Sequence, residues 1–184
     1  KQKTAYEIRN CDWSSDVCSS DLYRAIRAAG DAHGLRLFGA RAVESMRLEK
    51  GYLHWKSDLL TEFDPFETGL DRFVDMSKQE FVGKQALEAR IAAGPQRKLV
   101  SLALDADHAA AHGGSSVMID GKVVGTVTSG EWGYRTQLNL AYAFVEPGMA
   151  TEGSQVTIDV LGDLVEAKVI AAGPYDPAYE RVRS

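Results

Sequence analysis

The sequence predicts an α+β fold: a mixed segment over residues 23–94, followed by a small antiparallel β-barrel or sandwich over residues 95–184. Two features predict it. Before Gly94, the most regular apolar patterns have the three- and four-residue spacing of amphipathic helices. After Pro95, apolar and polar residues alternate in six short runs separated by turn sequences, which is typical of small all-β modules.

The clearest predicted helix covers residues 40–50 (ARAVESMRLEK). Val43, Met46 and Leu48 fall roughly on one face, charged residues fall on another, and Gly51 is a standard C-terminal stop. We therefore expect an amphipathic helix that buries these apolar residues. The other elements predicted in this segment are a short helix at 23–29, a short strand at 35–38, a helix at 65–70, a strand at 71–76 and a helix at 81–93.

Alternation predicts six strands in the second segment. The pair Asp120-Gly121, flanked by alternating runs, is a strong signal for a hairpin with a two-residue turn. Pro147-Gly148 and Gly162-Asp163 indicate two further turns. The predicted strands are residues 98–104, 117–119, 123–127, 138–145, 155–160 and 165–171.

Composition excludes several classes of function. The 184 residues carry a formal net charge of -5, so a nucleic-acid partner, which requires concentrated Lys and Arg, is not expected. No apolar run approaches the roughly 20 residues that span a bilayer, so we expect no membrane partner. The four histidines (His33, His54, His108 and His112) lack the spacing of a metal site, and no nucleophile arrangement or phosphate-binding glycine loop is present.

The first 22 residues (KQKTAYEIRNCDWSSDVCSSDL) have no helical or strand periodicity and contain both cysteines. Codons for residues 1–8 and 12–22 resemble two fixed strings of a common short-read sequencing adapter, and the codons between them leave eight nucleotides for an index. We therefore interpret residues 1–22 as translated adapter without structure, and expect that natural sequence preceding Tyr23 is absent. A genuine N-terminal tail is the alternative.

Six stretches, taken in order, resemble the aminomethyltransferase superfamily, typified by the glycine cleavage T-protein. They are SMRLEKGYLHW (45–55), DPFETGLDRFV (64–74), FVGKQAL (81–87), GKVVGTVTSGEWGYR (121–135), LAYAFVEP (140–147) and GPYDP (173–177). The LEKGYLHW wording and the YDP tail are most similar to the folate-binding C-terminal region of FAD-dependent dimethylglycine and sarcosine dehydrogenases. The resemblance covers essentially all of residues 23–184.

This resemblance implies a clover-like, three-part domain around a tetrahydrofolate channel. Residues 97–175 would be its C-terminal β-barrel, residues 23–38 the end of its middle part and residues 39–93 a return to its first part. Residues 23–94 are therefore expected to be an incomplete folate-binding domain remnant. The family's catalytic carboxylate would precede Tyr23, so we expect no catalytic residue here and an inactive fragment. FAD would belong to a missing half of the parent enzyme.

Four residues are candidates for folate contact: Tyr52, Glu49, Trp55 and Tyr179. Tyr52 stands three residues after Glu49 of the R-L-E sequence, where T-proteins place an aromatic residue that lines the folate channel. A tyrosine supplies a flat apolar surface and a hydrogen-bonding hydroxyl for a pterin ring. Trp55 and Tyr179 could line the same channel. Packing in the core is the alternative for Tyr52 and Trp55, surface packing for Tyr179, and an internal ion pair bracing the helix for Glu49 and Arg47.

The resemblance also leaves some positions unmatched. Val43 stands where T-proteins carry a folate-binding arginine, and Arg41 is a weak substitute. The loop after Thr-Ser-Gly (Trp132, Tyr134 and Arg135) would reach the channel mouth, or would simply be an exposed barrel loop.

We expect the parent to be a cytoplasmic, FAD-dependent demethylase of an N-methyl amine that transfers the released one-carbon unit to tetrahydrofolate. The small-molecule partners would be folate and the amine. A fragment of a free-standing glycine cleavage aminomethyltransferase and a non-catalytic module that binds folate or a partner protein are the alternatives.

Overall fold

The computed structural model describes residues 20–107, 109–149 and 151–184. Most of the segment interpreted as adapter, residues 1–19, lies outside the described residues.

The chain divides into two compact units, one ending at Gly39 and the other comprising Ala40–Ser184. In the first unit, residues 20–31 form helix α1, which includes three residues of the segment interpreted as adapter. Residues 35–39 belong to no helix or strand, so the strand predicted at 35–38 is wrong. No described strand pairs with them to supply backbone hydrogen bonds.

The second unit is built on a closed, six-stranded antiparallel barrel with the strand order β1-β4-β3-β2-β5-β6. Closure leaves no open edge, because β1 pairs both with β4 and with β6. The predicted α+β class with a small antiparallel barrel is confirmed. The strands are β1 (Lys98–Leu104), β2 (Ser116–Ile119), β3 (Lys122–Gly133), β4 (Leu138–Val145), β5 (Gln155–Val160) and β6 (Asp163–Ile170).

The barrel interior is filled by one side of each strand. Leu102, Val127 and Ile158 are among its fully buried side chains, and nearly all of the rest are Val, Leu or Ala. This composition follows from the alternation in the sequence, since successive side chains of a strand point to opposite faces. A smaller apolar cluster centred on Leu48, Leu140 and Tyr142 lies between the outside of the barrel and the helix that covers it.

Two barrel turns use paired residues with positive φ. Asp120 (φ 50°) and Gly121 (φ 75°) make the hairpin turn that the sequence predicts. In the β5–β6 hairpin the corresponding pair is Leu161 (φ 57°) and Gly162 (φ 97°), so the turn predicted at Gly162-Asp163 is one residue too late. A leucine in this conformation is uncommon, which is why the sequence does not indicate the turn.

Strand β3 is much longer than predicted. It continues through a β-bulge near Thr128 to Gly133, so Trp132 lies on the strand and not on a loop. A bulge inserts one unpaired residue and shifts the alternation, which disguises the strand in the sequence.

Four further helices belong to the second unit. The helices predicted at 40–50, 65–70 and 81–93 are present, the last two shorter than predicted. The strand predicted at 71–76 is wrong, because Asp71–Phe73 forms a 3₁₀ turn instead. The helices are α2 (Ala40–Lys50), α3 (Pro65–Thr68), α4 (Lys84–Ala93) and α5 (Glu180–Arg183). None of the helices in the described part of the chain is long and apolar enough to cross a membrane.

Helix α3 ties the connection before β1 to the rest of the unit. Asp64 and Glu67 form a capping box, in which each side chain accepts a hydrogen bond from the other's backbone N–H. Glu67 is buried, and its Oε1 also accepts from the backbone N–H groups of Gln96 (3.0 Å) and Arg97 (3.1 Å). A single carboxylate therefore fixes where the chain enters the barrel.

Candidate ligand-binding site

Helix α2 packs on the barrel through a face that is largely polar. Val43 and Met46 are 44% and 50% exposed, so the prediction that they are buried with Leu48 is wrong for both, and only Leu48 is buried. The buried polar residues can replace apolar ones because each has hydrogen-bond partners, which removes most of the cost of burial. The other buried residues of the helix are Ser45, Arg47 and Glu49.

Arg47 makes a buried ion pair with Asp58. Nη1 of Arg47 lies 2.6 Å from Oδ2 of Asp58, whose side chain is fully buried. The backbone N–H of His54 donates to the same oxygen at 2.8 Å, and the hydroxyls of Thr128 and Ser129 donate to Oδ1 at 2.6 Å each. The carboxylate is thus fully hydrogen-bonded, and it joins α2, the following loop and β3. The proposed internal ion pair of Arg47 is present.

Glu49 holds the turn between β3 and β4. Its Oε1 accepts from the backbone N–H groups of Arg135 and Thr136, at 2.7 Å each, and from the Thr136 hydroxyl at 3.1 Å. Gly133 allows this close approach, since a Cβ there would lie 3.0 Å from Glu49. Glu49 braces the helix as expected, but its partners are backbone amides and no cation pairs with it among the described residues. The hydrogen bond from the Arg135 N–H to Glu49 also fixes the backbone position of Arg135.

Lys50 attaches the C-terminal segment, which we define as residues 173–184, to the end of α2. Its Nζ lies 2.6 Å from the carbonyl oxygen of Asp176 and 3.8 Å from the centre of the Tyr179 ring. The neighbouring Tyr179 hydroxyl is the main cause that raises the pKa of Tyr52. Two predicted site residues, Tyr52 and Tyr179, are therefore brought together, with Lys50 beside them.

The carboxylate of Asp176 adds to this attachment. Partial burial works against its charge, but hydrogen bonds from the Glu180 N–H and from Lys50 outweigh this and lower its pKa. Because the folded-state pKa is lowered, the stabilisation is present at neutral pH and is lost as the pH falls through the folded pKa.

A cavity of about 550 Å³ lies between the outer face of α2 and the C-terminal segment. We call it the tyrosine cavity. Most of its lining surface is apolar, and the polar groups are placed around it, which is the usual composition of a small-molecule site. Among its lining residues are Val43, Met46, Glu49, Lys50, Tyr52, Arg135, Tyr175 and Arg181.

The remaining predicted residues lie elsewhere or are already engaged. Trp55 does not line the tyrosine cavity. Its side chain is 62% exposed, so the alternative that it packs in the core is wrong. Arg41 pairs with Glu131 at 2.9 Å, and Tyr134 points largely to solvent. Arg135 does line the tyrosine cavity.

Sequence reasoning missed Lys50, Asp58 and Arg181. The sequence places Lys50 on the charged face of the helix, and only the tertiary fold brings residues 175–181 to it. A sequence signal existed for Asp58, since an acidic residue within an aromatic-rich loop is a candidate partner for a buried cation.

The structure gives no support for a metal centre. Among the residues it describes, no group of three or more His, Cys, Asp or Glu side chains is arranged to hold an ion. His108 lies outside the described residues.

The closed barrel, with α2 folded onto its outer face, agrees with the families that the chain matches. Residues 97–176 match the glycine cleavage T-protein C-terminal barrel domain, and residues 4–78 match the N-terminal domain of the same protein. Together the two matches cover most of the chain, which belongs to the glycine cleavage T-protein (aminomethyltransferase) family. The N-terminal match begins inside the segment interpreted as adapter, and that interpretation stays a prediction.

Curated relatives include both dehydrogenases and aminomethyltransferases. The chain is 39% identical to the mitochondrial dimethylglycine dehydrogenase of Rattus norvegicus over 83% of its length and 18% of the relative's. It is 33% identical to the mitochondrial sarcosine dehydrogenase of Homo sapiens, over 88% and 18%. It is 35% identical to the aminomethyltransferase of Moorella thermoacetica, over 81% and 40%. The chain therefore spans less than half of each of these relatives.

A solved structure shows the same fold. The glycine cleavage system aminomethyltransferase T from Bartonella henselae superposes with a TM-score of 0.68 at 25% identity. The superposition covers 74% of this chain and 38% of that chain.

Replacing Asp58 by Asn should lower the free energy of unfolding by about 3 kcal/mol, because Arg47 would keep a buried charge with only the half-exposed Glu44 to pair with it. Urea unfolding followed by circular dichroism measures the loss. Asp71→Asn, at an exposed carboxylate, is the control and should change little. Equal losses in the two variants would contradict a special role for the buried pair.

Replacing Lys50 by Met should release the C-terminal segment without unfolding the barrel, since the ammonium contacts with Asp176 and Tyr179 are removed. Hydrogen exchange of the amides of Tyr179 and Glu180 should become faster, whereas exchange in β4 should not change. Lys122→Met, at an exposed lysine of β3, serves as the control. Unchanged exchange in Lys50→Met would show that the segment is held by other contacts.

Proposed function

We propose that the chain is the C-terminal part of a folate-dependent one-carbon-transfer domain, and that the tyrosine cavity is its remaining wall of the tetrahydrofolate site. The observation that carries the proposal is that Tyr52 and Glu49, both chosen from the family resemblance, line one cavity. Tyr179, chosen in the same way, does not line it but contacts Lys50, which does. Residues chosen only for core packing would not be expected to meet at a solvent-accessible cavity.

The chemistry of the cavity suits a reduced folate. Val43, Met46 and the Tyr52 ring offer apolar surface for a flat ring system, and the tyrosine hydroxyls offer hydrogen bonds. Arg135 and Arg181 supply cations, which suit the carboxylates of a glutamate tail. The volume is also in the range of small-molecule sites.

In this proposal the chain binds and orients folate but performs no proton transfer. A tetrahydrofolate bound here would supply the nitrogen atoms that accept a one-carbon unit. Glu49 would position Arg135 through the turn that it holds, and Lys50 would keep Tyr179 against Tyr52. Trp55 is not part of the proposed site.

For the whole protein we propose an FAD-dependent dehydrogenase of dimethylglycine, sarcosine or a similar N-methyl amine. The support is the higher identity to the rat dimethylglycine dehydrogenase (39%) than to the aminomethyltransferase of Moorella thermoacetica (35%). FAD would bind in a part of the parent outside this chain. A cytoplasmic location belongs to the same proposal, with a mitochondrial one, as in the names of the mammalian relatives, as its alternative.

A free-standing aminomethyltransferase is the second candidate. The fold is matched by an aminomethyltransferase structure, and the chain covers 40% of the Moorella relative compared with 18% of the dehydrogenases. We expect the gene upstream of residue 23 to encode a strand–helix unit with the G-x-G-x-x-G sequence of a dinucleotide-binding fold. A longer genomic read checks this, and a start codon shortly upstream with no such unit would favour the free-standing enzyme instead.

Replacing Tyr52 by Ala should weaken binding of 5-formyltetrahydrofolate to the chain about tenfold, because a stacking surface and a hydroxyl are lost. Isothermal titration calorimetry of the folded chain measures the affinity. Tyr134→Ala is the matched control, since Tyr134 is exposed and does not line the cavity. Equal affinity in both variants would remove the tyrosine cavity as the folate site.

A further inference from the structure

A second cavity, of about 300 Å³, lies on the outer face of the barrel. Its floor is a row of paired residues across three strands, because Ser101 of β1 is opposite Tyr142 of β4 and Ile170 of β6. The chain at Gly51–Leu53 borders one side and the segment after α3 borders another. We call it the Ser101 cavity.

The Ser101 cavity is separate from the tyrosine cavity. Residues 50–53 run between the two and contribute alternately, with Lys50 and Tyr52 lining the tyrosine cavity and Gly51 and Leu53 lining the Ser101 cavity. A ligand bound in one cavity would therefore not contact the residues that line the other.

Ser101 is a largely buried residue whose hydroxyl still reaches solvent and has no protein partner among the described residues. It is 7% exposed, and among the described residues its hydroxyl makes no hydrogen bond. The other two buried serines behave differently: Ser45 donates to the Trp132 carbonyl and Ser129 to Asp58, each at 2.6 Å. The Ser101 hydroxyl, which lines the cavity, is therefore free to donate a hydrogen bond to a ligand.

The rim of the Ser101 cavity has an excess of positive charge. Lys98 and Arg72 line it from two different elements, and neither has an acidic partner within the part of the chain that the structure describes. Among the described lining residues, Glu152 supplies the carboxylate. Two cations and a free hydroxyl in the lining of one cavity are donors that suit an anion, since a carboxylate accepts from both kinds of donor.

We propose that the Ser101 cavity binds a small carboxylate, with Ser101 donating a hydrogen bond from the floor and Lys98 and Arg72 pairing with the charge. A volume at the low end of ligand sites restricts the occupant to a molecule of amino-acid size. Glu152 allows that molecule to carry an amino group as well. This site does not rest on the proposed folate function.

Titration of the ¹⁵N-labelled chain with sodium acetate at constant ionic strength tests the site. We expect saturable shifts of the backbone amides of Lys98 and Ser101, and of the neighbouring Tyr142. Glycine should shift the same amides and bind at least as tightly as acetate. Methylammonium chloride, which lacks a carboxylate, should leave them unchanged.

Ser101→Ala should weaken acetate binding about tenfold, because a hydrogen bond to a charged group is lost. The NMR spectrum of the variant shows directly whether the barrel is intact. Lys98→Gln, at an exposed side chain that the fold does not need, should also weaken binding, whereas Lys122→Gln should not. The proposal is overturned if acetate gives no saturable shift, if methylammonium alone saturates the site, or if the Ser101 and Lys98 variants bind as the unchanged chain does.

Discussion

The buried ion pair between Arg47 and Asp58 is the interaction on which the arrangement of the second unit depends. It connects α2 to the loop that follows it, and the hydroxyls of Thr128 and Ser129 connect the same carboxylate to β3. A buried pair of this kind adds little net stability compared with apolar packing, but it is costly to break. It therefore selects one position of the helix on the barrel, where apolar contacts alone would tolerate several.

Both cavities follow from that position. With α2 fixed, residues 50–53 leave the helix along one path over the barrel, and their side chains divide between the tyrosine cavity and the Ser101 cavity. The C-terminal segment then reaches Lys50 because Gly51 and Gly173 allow the two chain segments to approach closely; a Cβ on Gly173 would lie 2.8 Å from the Lys50 carbonyl oxygen. The candidate site is thus made by short segments held against a rigid barrel, and neither segment would form it alone.

The sequence predicts the barrel well and the surface that covers it poorly. Alternation places five of the six strands almost correctly, because a closed barrel buries one side of every strand. The same reasoning fails for α2, where Val43 and Met46 are exposed and Arg47 and Glu49 are buried. Hydrophobic periodicity assumes that charged residues face water, whereas these two are satisfied by partners distant in sequence. The resemblance to a known family, and not periodicity, is what made Tyr52 and Tyr179 candidates.

The exposed apolar face of α2 agrees with the ligand binding that we propose for the tyrosine cavity. If Val43 and Met46 served only to support the helix, the helix would be expected to turn them inwards, and the Arg47–Asp58 pair prevents that. The pair instead holds them beside Tyr52 at the tyrosine cavity, at the cost of leaving apolar surface in water. Exposed apolar residues on a helix add no stability by themselves, and the proposed ligand would cover them.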